Sequence, residues 1–480
     1  MESKNWIGGE WITPSGEVRP VQNPSDTAEE VGLIHLSDQS HVRTAAEAAK
    51  AAFPKWSALS GAARGECLYQ MAAVLAQHSE ELAQLASREM GKPISEMRGE
   101  VTRGVHLLRY YAAEGMRSDG SLIPSADRDV LQYSKRVPLG VVGIITPWNF
   151  PVAIPIWKIA PALICGNTVI WKPAENGSLT ATRLAELFAT TSLPPGVINL
   201  VIGKGREIGG TLLNEAAVQA ISFTGSSATG RVVAETCARR NIKYQTEMGG
   251  KNAAVVLRDA DLKRAVPAIL SGAFRSAGQK CTATSRIIVE RTIYLAFVEH
   301  LQQAAEAVKV APALDEAAYL GPVASAEQYD KVGGYAAIAR READLVWEKP
   351  VPQELAGRGY YINPLIVTGV AAHHSLVQEE IFGPLAVVLQ ADDFAEAIQL
   401  CNQSVYGLSA SLFTQDLSRA FQFLEKAEAG MVRVNQETAG VEYQAPFGGM
   451  KQSGSYAREQ GQAALDFYSQ LKTCAIKHSF

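Results

Sequence analysis

Cysteine is scarce, with six in 480 residues: Cys67, Cys165, Cys237, Cys281, Cys401 and Cys474. None forms a Cys-x-x-Cys pair or stands near a histidine at metal-ligand spacing, which excludes a disulfide framework and a thiolate zinc site. A reducing cytoplasm is the simplest compartment. Basic excess is lacking too. The formal net charge of -4 leaves no electrostatic footprint for nucleic acid, and no basic amphipathic stretch points to a membrane surface. Met1-Glu2-Ser3-Lys4-Asn5-Trp6 has no apolar core of the signal-peptide kind. The most apolar stretch, 150–171, contains Lys158, Asn167 and the prolines Pro151, Pro155 and Pro161, so it predicts a buried helix followed by a strand rather than a membrane span. His373 and His374 are adjacent and lack a partner pair at zinc spacing, so no metal is expected. All eight histidines lie outside the motifs described below, which leaves a Cys-His hydrolase without its base.

What is present is a chain too long for one core, so two or three domains are expected. Residues 45–52 and 62–90 read as helical from their strong helix formers and spacing. From Val141 short apolar runs alternate with helix-like segments: 141–145, 168–171, 197–201 and 220–223. A second series follows Gly250, with runs at 253–257, 286–290, 365–368, 386–389, 409–413 and 431–434. Such alternation predicts an α/β protein with parallel sheets and crossover helices, divided near Gly249-Gly250. Residues 118–136 and the tail after Ala464 fit neither series; they are either strands that pair with another subunit, or a surface loop and a tail.

Three pieces of the first series suit a nucleotide. Gly203-Lys204-Gly205-Arg206-Glu207-Ile208-Gly209 departs by one residue from the dinucleotide fingerprint. It reads as a strand-to-helix turn, either one that lets the backbone approach a ligand or a plain turn. Phe223-Thr224-Gly225-Ser226-Ser227-Ala228-Thr229-Gly230 follows a strand and opens a helix. Its backbone N–H groups and the Ser226 hydroxyl suit a pyrophosphate, or Ser226 simply caps the helix. Trp171-Lys172-Pro173-Ala174-Glu175 ends a strand where an acidic residue reaches a ribose in dinucleotide folds. Glu175 argues for NAD over NADP by repelling a 2′-phosphate, while Lys172 tolerates one.

Chemistry concentrates at three distant points: Cys281 in Gly278-Gln279-Lys280-Cys281-Thr282, Glu247 in Glu247-Met248-Gly249-Gly250-Lys251, and Asn149 in Thr146-Pro147-Trp148-Asn149-Phe150-Pro151. A thiol, a carboxylate and an amide are three of the parts needed to oxidise an aldehyde through a thioester. The thiolate attacks the carbonyl carbon, the amide stabilises the oxyanion, and the carboxylate activates water.

These runs, with Gly166-Asn167-Thr168-Val169, Glu379-Glu380-Ile381-Phe382-Gly383-Pro384 and Pro446-Phe447-Gly448-Gly449, make the chain resemble the aldehyde dehydrogenase superfamily over almost its whole length. The resemblance implies a Rossmann-like cofactor domain (1–117 and 138–249), an α/β catalytic domain (250–463) and a small β oligomerisation arm (118–137 and 464–480). It implies a homodimer or homotetramer, with Cys281 as nucleophile, Asn149 and the Cys281 backbone N–H as oxyanion donors, and Glu247 as base. Lys158 and Glu459 resemble proton-relay residues. For the cofactor, NAD with NADP possible, it implies Ile145, Thr146, Pro147, Trp148, Lys172, Glu175, Gly205, Phe223, Thr224, Gly225, Ser226, Thr229, Gly249, Glu380 and Phe382.

Residues 275–286 and 437–452 resemble more narrowly the bacterial α-ketoglutaric semialdehyde (2,5-dioxovalerate) dehydrogenases. The implied substrate carries a carboxylate opposite its aldehyde. By that resemblance Arg275 lines the pocket and binds the carboxylate, unless it makes only a surface salt bridge. Several semialdehyde dehydrogenases carry an arginine where this chain has Trp157. Phe150, Ile154, Trp157 and Phe447 form an apolar wall that also suits aliphatic or aromatic aldehydes. A thiol hydrolase without hydride transfer is the remaining alternative.

Overall fold

The computed structural model describes residues 1–117 and 119–478. Ser118 and residues 479–480, at the bounds of the expected arm, lie outside the described residues.

The first sheet has seven strands, in the order Lys243–Glu247, Val218–Thr224, Val141–Ile145, Thr168–Lys172, Ile198–Leu200, Asn5–Ile7 and Glu10–Ile12. The first five run parallel; the amino-terminal pair is antiparallel. Val141–Ile145 and Thr168–Lys172 are almost entirely buried, as befits parallel strands covered by helices on both faces. Helix Ala153–Ile164 is apolar nearly all round and buried at every position, so it sits inside the molecule rather than on its surface.

The second sheet has the order Asp344–Glu348, Leu365–Thr368, Leu385–Ala391, Thr284–Glu290, Asn252–Val256, Ser409–Phe413 and Met431–Val434, parallel except for its first pair. A third, antiparallel sheet joins Ser469–Lys477, Val130–Pro138 and Gly120–Ile123. The two segments that fitted neither α/β series thus pair with each other.

Two expectations need amending. The early chain is not helical throughout: strands Asn5–Ile7, Glu10–Ile12, Val18–Asn23 and Asp26–His35 precede the first helix. Val18–Asn23 alternates exposed and half-buried residues and its burial depends on distant neighbours, so no apolar run announces it. The helical stretch 62–90 is two helices, Gly61–Gln77 and Ser79–Met90, broken at His78.

Helix Ile94–Glu114 supplies the brace that fixes this core. Glu100 accepts hydrogen bonds from the backbone N–H groups of Val152 (2.9 Å) and Ala153 (3.1 Å), satisfying orphan donors at the start of helix Ala153–Ile164. Its other oxygen takes the Lys92 ammonium at 2.5 Å, both side chains being 1% exposed. Lys92 also lies 3.7 Å from the centre of the Phe150 ring. Replacing Glu100 by alanine strands a buried ammonium and two N–H groups together. The expected cost is about 3–5 kcal/mol, read as a large fall in the denaturant midpoint. A midpoint within error of wild type would contradict this role for the pair.

Candidate active site

The chain runs outward from Val141–Ile145 through Thr168–Lys172 to Ile198–Leu200, then returns to place Val218–Thr224 on the opposite side. The strand order reverses between Val141–Ile145 and Val218–Thr224, and a crevice must open beyond their carboxyl ends. A cleft lies there, lined by Pro147, Trp148, Asn149 and Ile154 from one side and Thr224, Gly225, Ser226, Met248 and Gly249 from the other. Cys281, Gln328, Lys331, Glu380 and Phe382 complete it.

The nucleotide-side residues show why this local sequence is needed. A Cβ on Gly225 would stand 2.6 Å from the Phe223 ring, and one on Gly249 would stand 2.3 Å from the Glu380 carboxylate. The Ser226 side chain accepts from the Thr229 N–H at 3.3 Å and donates to the Thr229 hydroxyl at 3.0 Å. It therefore caps helix Ser227–Arg240, whose amino-terminal N–H groups open beside the cleft. The Thr224 hydroxyl is buried without a partner. Glu380 accepts from the Gly250 N–H at 2.9 Å, and burial holds its carboxyl above the usual range. Phe382 takes a left-handed backbone (φ 61°), strained for an aromatic residue. Gln328 Nε2 holds its carbonyl at 2.6 Å, and its ring meets Trp148 edge-on at 5.6 Å. This donor and acceptor set, at a strand-order reversal and beside a helix start, fits a dinucleotide.

Lys172, Glu175 and Gly205 lie outside that lining, along the same carboxyl edge. Lys172 pairs in register with Ile145 and donates to the Pro173 carbonyl at 2.9 Å; burial pulls its pKa down to about 8. Glu175 accepts from Arg19 Nη1 at 2.9 Å, a partner that sequence spacing did not offer. Gly205 is exposed at the start of helix Gly205–Asn214, after a Lys204 that pairs with Glu17. The Thr146 hydroxyl is taken by the Trp171 indole N–H at 2.9 Å.

Cys281 ends an unusual turn. Ser276, Ala277 and Gly278 are all left-handed, with φ of 56°, 53° and 69°. Two of the three carry a Cβ, so the surroundings must hold the strain. Glu96 does so: it accepts from the Ser276 N–H and the Ser276 hydroxyl, each at 2.7 Å, and pairs with Lys280 at 3.3 Å. Burial alone would raise Glu96, but Lys280, Lys92 and the Ser276 bonds outweigh it and hold the carboxyl below its ordinary range. Gln279 ties the turn to Ala324 (3.0 Å), and its carbonyl receives Asn149 Nδ2 at 2.9 Å. Asn149 and Cys281 are thereby locked to one turn, and the amide keeps a second N–H for another acceptor.

Glu247 is 2% exposed and neither of its oxygens has a hydrogen-bond partner. Burial raises its pKa well above the carboxylate range, the Glu459 charge adds to this, and Lys158 and Arg458 oppose it. Glu459 is buried beside Phe447, not solvated on a helix; it pairs with Lys158 and accepts the Trp157 indole N–H at 2.6 Å. Lys158 also donates to Ser222 at 2.9 Å. Burial, then the charges of Glu380, Glu247 and Glu459, push the Cys281 thiol up, so it rests protonated.

Of the residues expected to face substrate, Ile154 lines the cleft, Trp157 meets the Phe447 ring at a tilt with centres 5.4 Å apart, and Phe447 belongs to the small cluster against which Cys281 packs. Phe150 is braced by Lys92. Arg275 turns toward Tyr319, its guanidinium 5.1 Å from the ring centre. Glu96, Gln328 and Lys331 went unread: each lies at an ordinary helical spacing, and only the fold brings Gln328 and Lys331 to the cleft and Glu96 to the turn before Cys281.

The aldehyde dehydrogenase family model matches residues 11–474. The chain is 46% identical over 476 residues to α-ketoglutaric semialdehyde dehydrogenase of Bacillus subtilis, covering 98% of each. It is 38% identical to 2,5-dioxopentanoate dehydrogenase of Saccharolobus solfataricus, covering 98% of this chain and 99% of the relative. Among solved structures, betaine aldehyde dehydrogenase of Staphylococcus aureus in complex with NAD+ superposes with a TM-score of 0.95 at 32% identity, covering 99% of this chain and 95% of that one. A cysteine, an amide and a buried carboxylate around a cleft at a strand-order reversal, together with these matches, lead to one conclusion: the chain belongs to the aldehyde dehydrogenase family.

Proposed function

We propose that the protein oxidises α-ketoglutaric semialdehyde (2,5-dioxovalerate) to 2-oxoglutarate with NAD+. The observation that carries the reaction is Cys281 sharing one cleft with Asn149, Gly225, Ser226 and Glu380. The choice of aldehyde rests on the relatives that act on it, the Bacillus subtilis enzyme at 46% identity foremost.

Bound NAD+ supplies the hydride acceptor; Thr224, Gly225, Ser226, Gly249, Glu380 and Phe382 would hold it. Cys281 Sγ bonds to the carbonyl carbon as its proton leaves. The oxyanion meets the free N–H of Asn149 and the Cys281 backbone N–H, each such donor worth roughly 3 kcal/mol. Loss of hydride from that carbon leaves a thioester on Cys281. Glu247 takes a proton from water, which attacks the thioester and releases the acid and the Cys281 thiolate; the thiolate takes up a proton from solvent, so that one proton is released per turnover. In sum, one aldehyde, one NAD+ and one water give one acid, one NADH and one proton. A thiol kept neutral first by desolvation and then by neighbouring carboxylates reacts little until a positive charge enters the cleft. Glu247 passes its proton toward Glu459 and Lys158. At the ribose end the Glu175 carboxylate repels a 2′-phosphate and Arg19 offsets only part of that charge, so NADP+ serves as a poorer acceptor.

The chain forms a homo-oligomer through the three-stranded sheet, where Leu122, Leu131, Leu471 and Ile476 stand exposed. Six free cysteines suit a cytoplasmic enzyme.

NADH absorbance over a panel of aldehydes tests the reading. 2,5-Dioxovalerate is expected to give the highest kcat/KM; C281A should give no NADH, and N149A should lose about 10²–10³-fold in kcat. Acid formed without NADH would instead identify a thiol hydrolase. A second measurement addresses the relay. The Glu459 charge raises Glu247, so E459Q leaves Lys158 and Arg458 to pull Glu247 down, and the base form persists to lower pH. The acidic limb of the kcat profile should therefore move to lower pH; a limb that stays put or moves up would refute the coupling.

A further inference from the structure

A second groove shares no lining residue with the cofactor cleft. Its walls are Pro267, Ala268 and Ser271 of helix Leu262–Phe274, the segment 436–445, and two arginines, Arg103 and Arg433. It adjoins the surroundings of the nucleophile. Val441 of its wall and Cys281 both pack against the cluster of Leu408, Met431 and Phe447, and Thr438 donates to the Thr282 carbonyl at 2.7 Å. The Arg103 guanidinium stands 6.0 Å from the centre of the Trp157 ring, and that ring meets Phe447.

The two arginines differ in what they have left to offer. Arg433 Nη1 donates to the carbonyls of Glu437 (3.1 Å) and Ala439 (2.6 Å) and so orders the wall. Arg103 Nη2 donates to Gln460 Oε1 at 2.8 Å, a neutral partner, while its Nε–H is buried with no acceptor. A guanidinium only donates, so it turns the Gln460 oxygen toward itself; the Gln460 amide nitrogen is left unpartnered as well. Two buried donors without acceptors in one corner are costly unless a ligand supplies an acceptor. Of the groove's carboxylates, Glu442 accepts from Gln444 at 2.8 Å and its charge, like that of Glu100, also acts on Arg103, yet neither accepts the Nε–H; the charge of Glu437 acts on Arg433 and Tyr319.

Resting on the semialdehyde reading above, we propose that Arg103 binds the carboxylate of the substrate distal to the aldehyde, with Gln460 as its positioning residue. The Nε–H and a neighbouring Nη–H form the planar fork that suits a carboxylate. Arg275 is occupied on Tyr319. The cationic group thus comes from helix Ile94–Glu114 and lies over the Trp157 indole.

The test compares kcat/KM for 2,5-dioxovalerate and glutaric semialdehyde with that for pentanal, in wild type, R103Q, R103K and R275Q at saturating NAD+. The carboxylated-over-uncharged ratio should fall about 10- to 100-fold in R103Q, chiefly through KM. It should recover only in part in R103K, whose ammonium cannot form the fork, and should hold in R275Q. A ratio kept in R103Q, or lost in R275Q instead, overturns the assignment while the semialdehyde reading stands. A wild type with no preference for carboxylated aldehydes overturns both. Should R103Q fold poorly by its melting curve, the ratio in R103K decides: an undiminished value there refutes the fork.

Discussion

One face of helix Ile94–Glu114 holds the two halves of the site in register. Glu96 and Glu100 stand four residues apart, one turn of helix. Glu96 grips the strained turn that ends in Cys281, and Glu100 grips the backbone just after the Asn149 turn. Lys92 and Lys280 neutralise them, so the pair of carboxylates survives burial. Arg103 follows three residues later on the same face. The Cys281 turn, the Asn149 turn and the proposed carboxylate fork thus share one rigid support, and their spacing varies little when loops move.

A second constraint is electrostatic. Cys281 and Glu380 are half-buried in the cleft and Glu247 is buried beside it, with no cation hydrogen-bonded to any of them. Desolvation then drives all three toward their neutral forms; Glu459 reinforces this at Cys281 and Glu247, Lys158 and Arg458 oppose it at Glu247, and Lys331 and Lys251 oppose it at Glu380. Lys158 is committed to Glu459 and Ser222, and Arg458 acts only at a distance. Such a site is poised for a positively charged ligand.

The strand-order reversal explains why the motifs lie so far apart in the chain. Parallel strands collect their following loops at one edge, so 145–149, 172–175 and 224–226 meet there although each belongs to a different βα unit. Cys281 comes from the second sheet, in the loop leading into Thr284–Glu290. It reaches the cleft because its turn is bent by three consecutive left-handed residues. The left-handed Phe382 does the same for a ring on the facing wall.

Much of this was legible in the sequence because it is local. Apolar runs of parallel-strand length, a serine at a helix start, and a thiol, a carboxylate and an amide in glycine-rich surroundings each carry their meaning within a few residues. The amino-terminal strands escaped notice, since Val18–Asn23 is a strand only by virtue of its pairing with Asp26–His35. Glu96, Glu100, Arg103 and Arg19 escaped for the same reason: a charged residue on a helix or edge strand looks solvated until its partner is known. Chain chemistry by itself pointed to parallel sheets and to a thiol, a carboxylate and an amide as the parts of one candidate site. Tertiary structure alone decided which charges are buried together, and therefore which groups are neutral, which are braced and which donor still lacks an acceptor. Burial and pairing are properties of residues distant in sequence, and no local pattern encodes them.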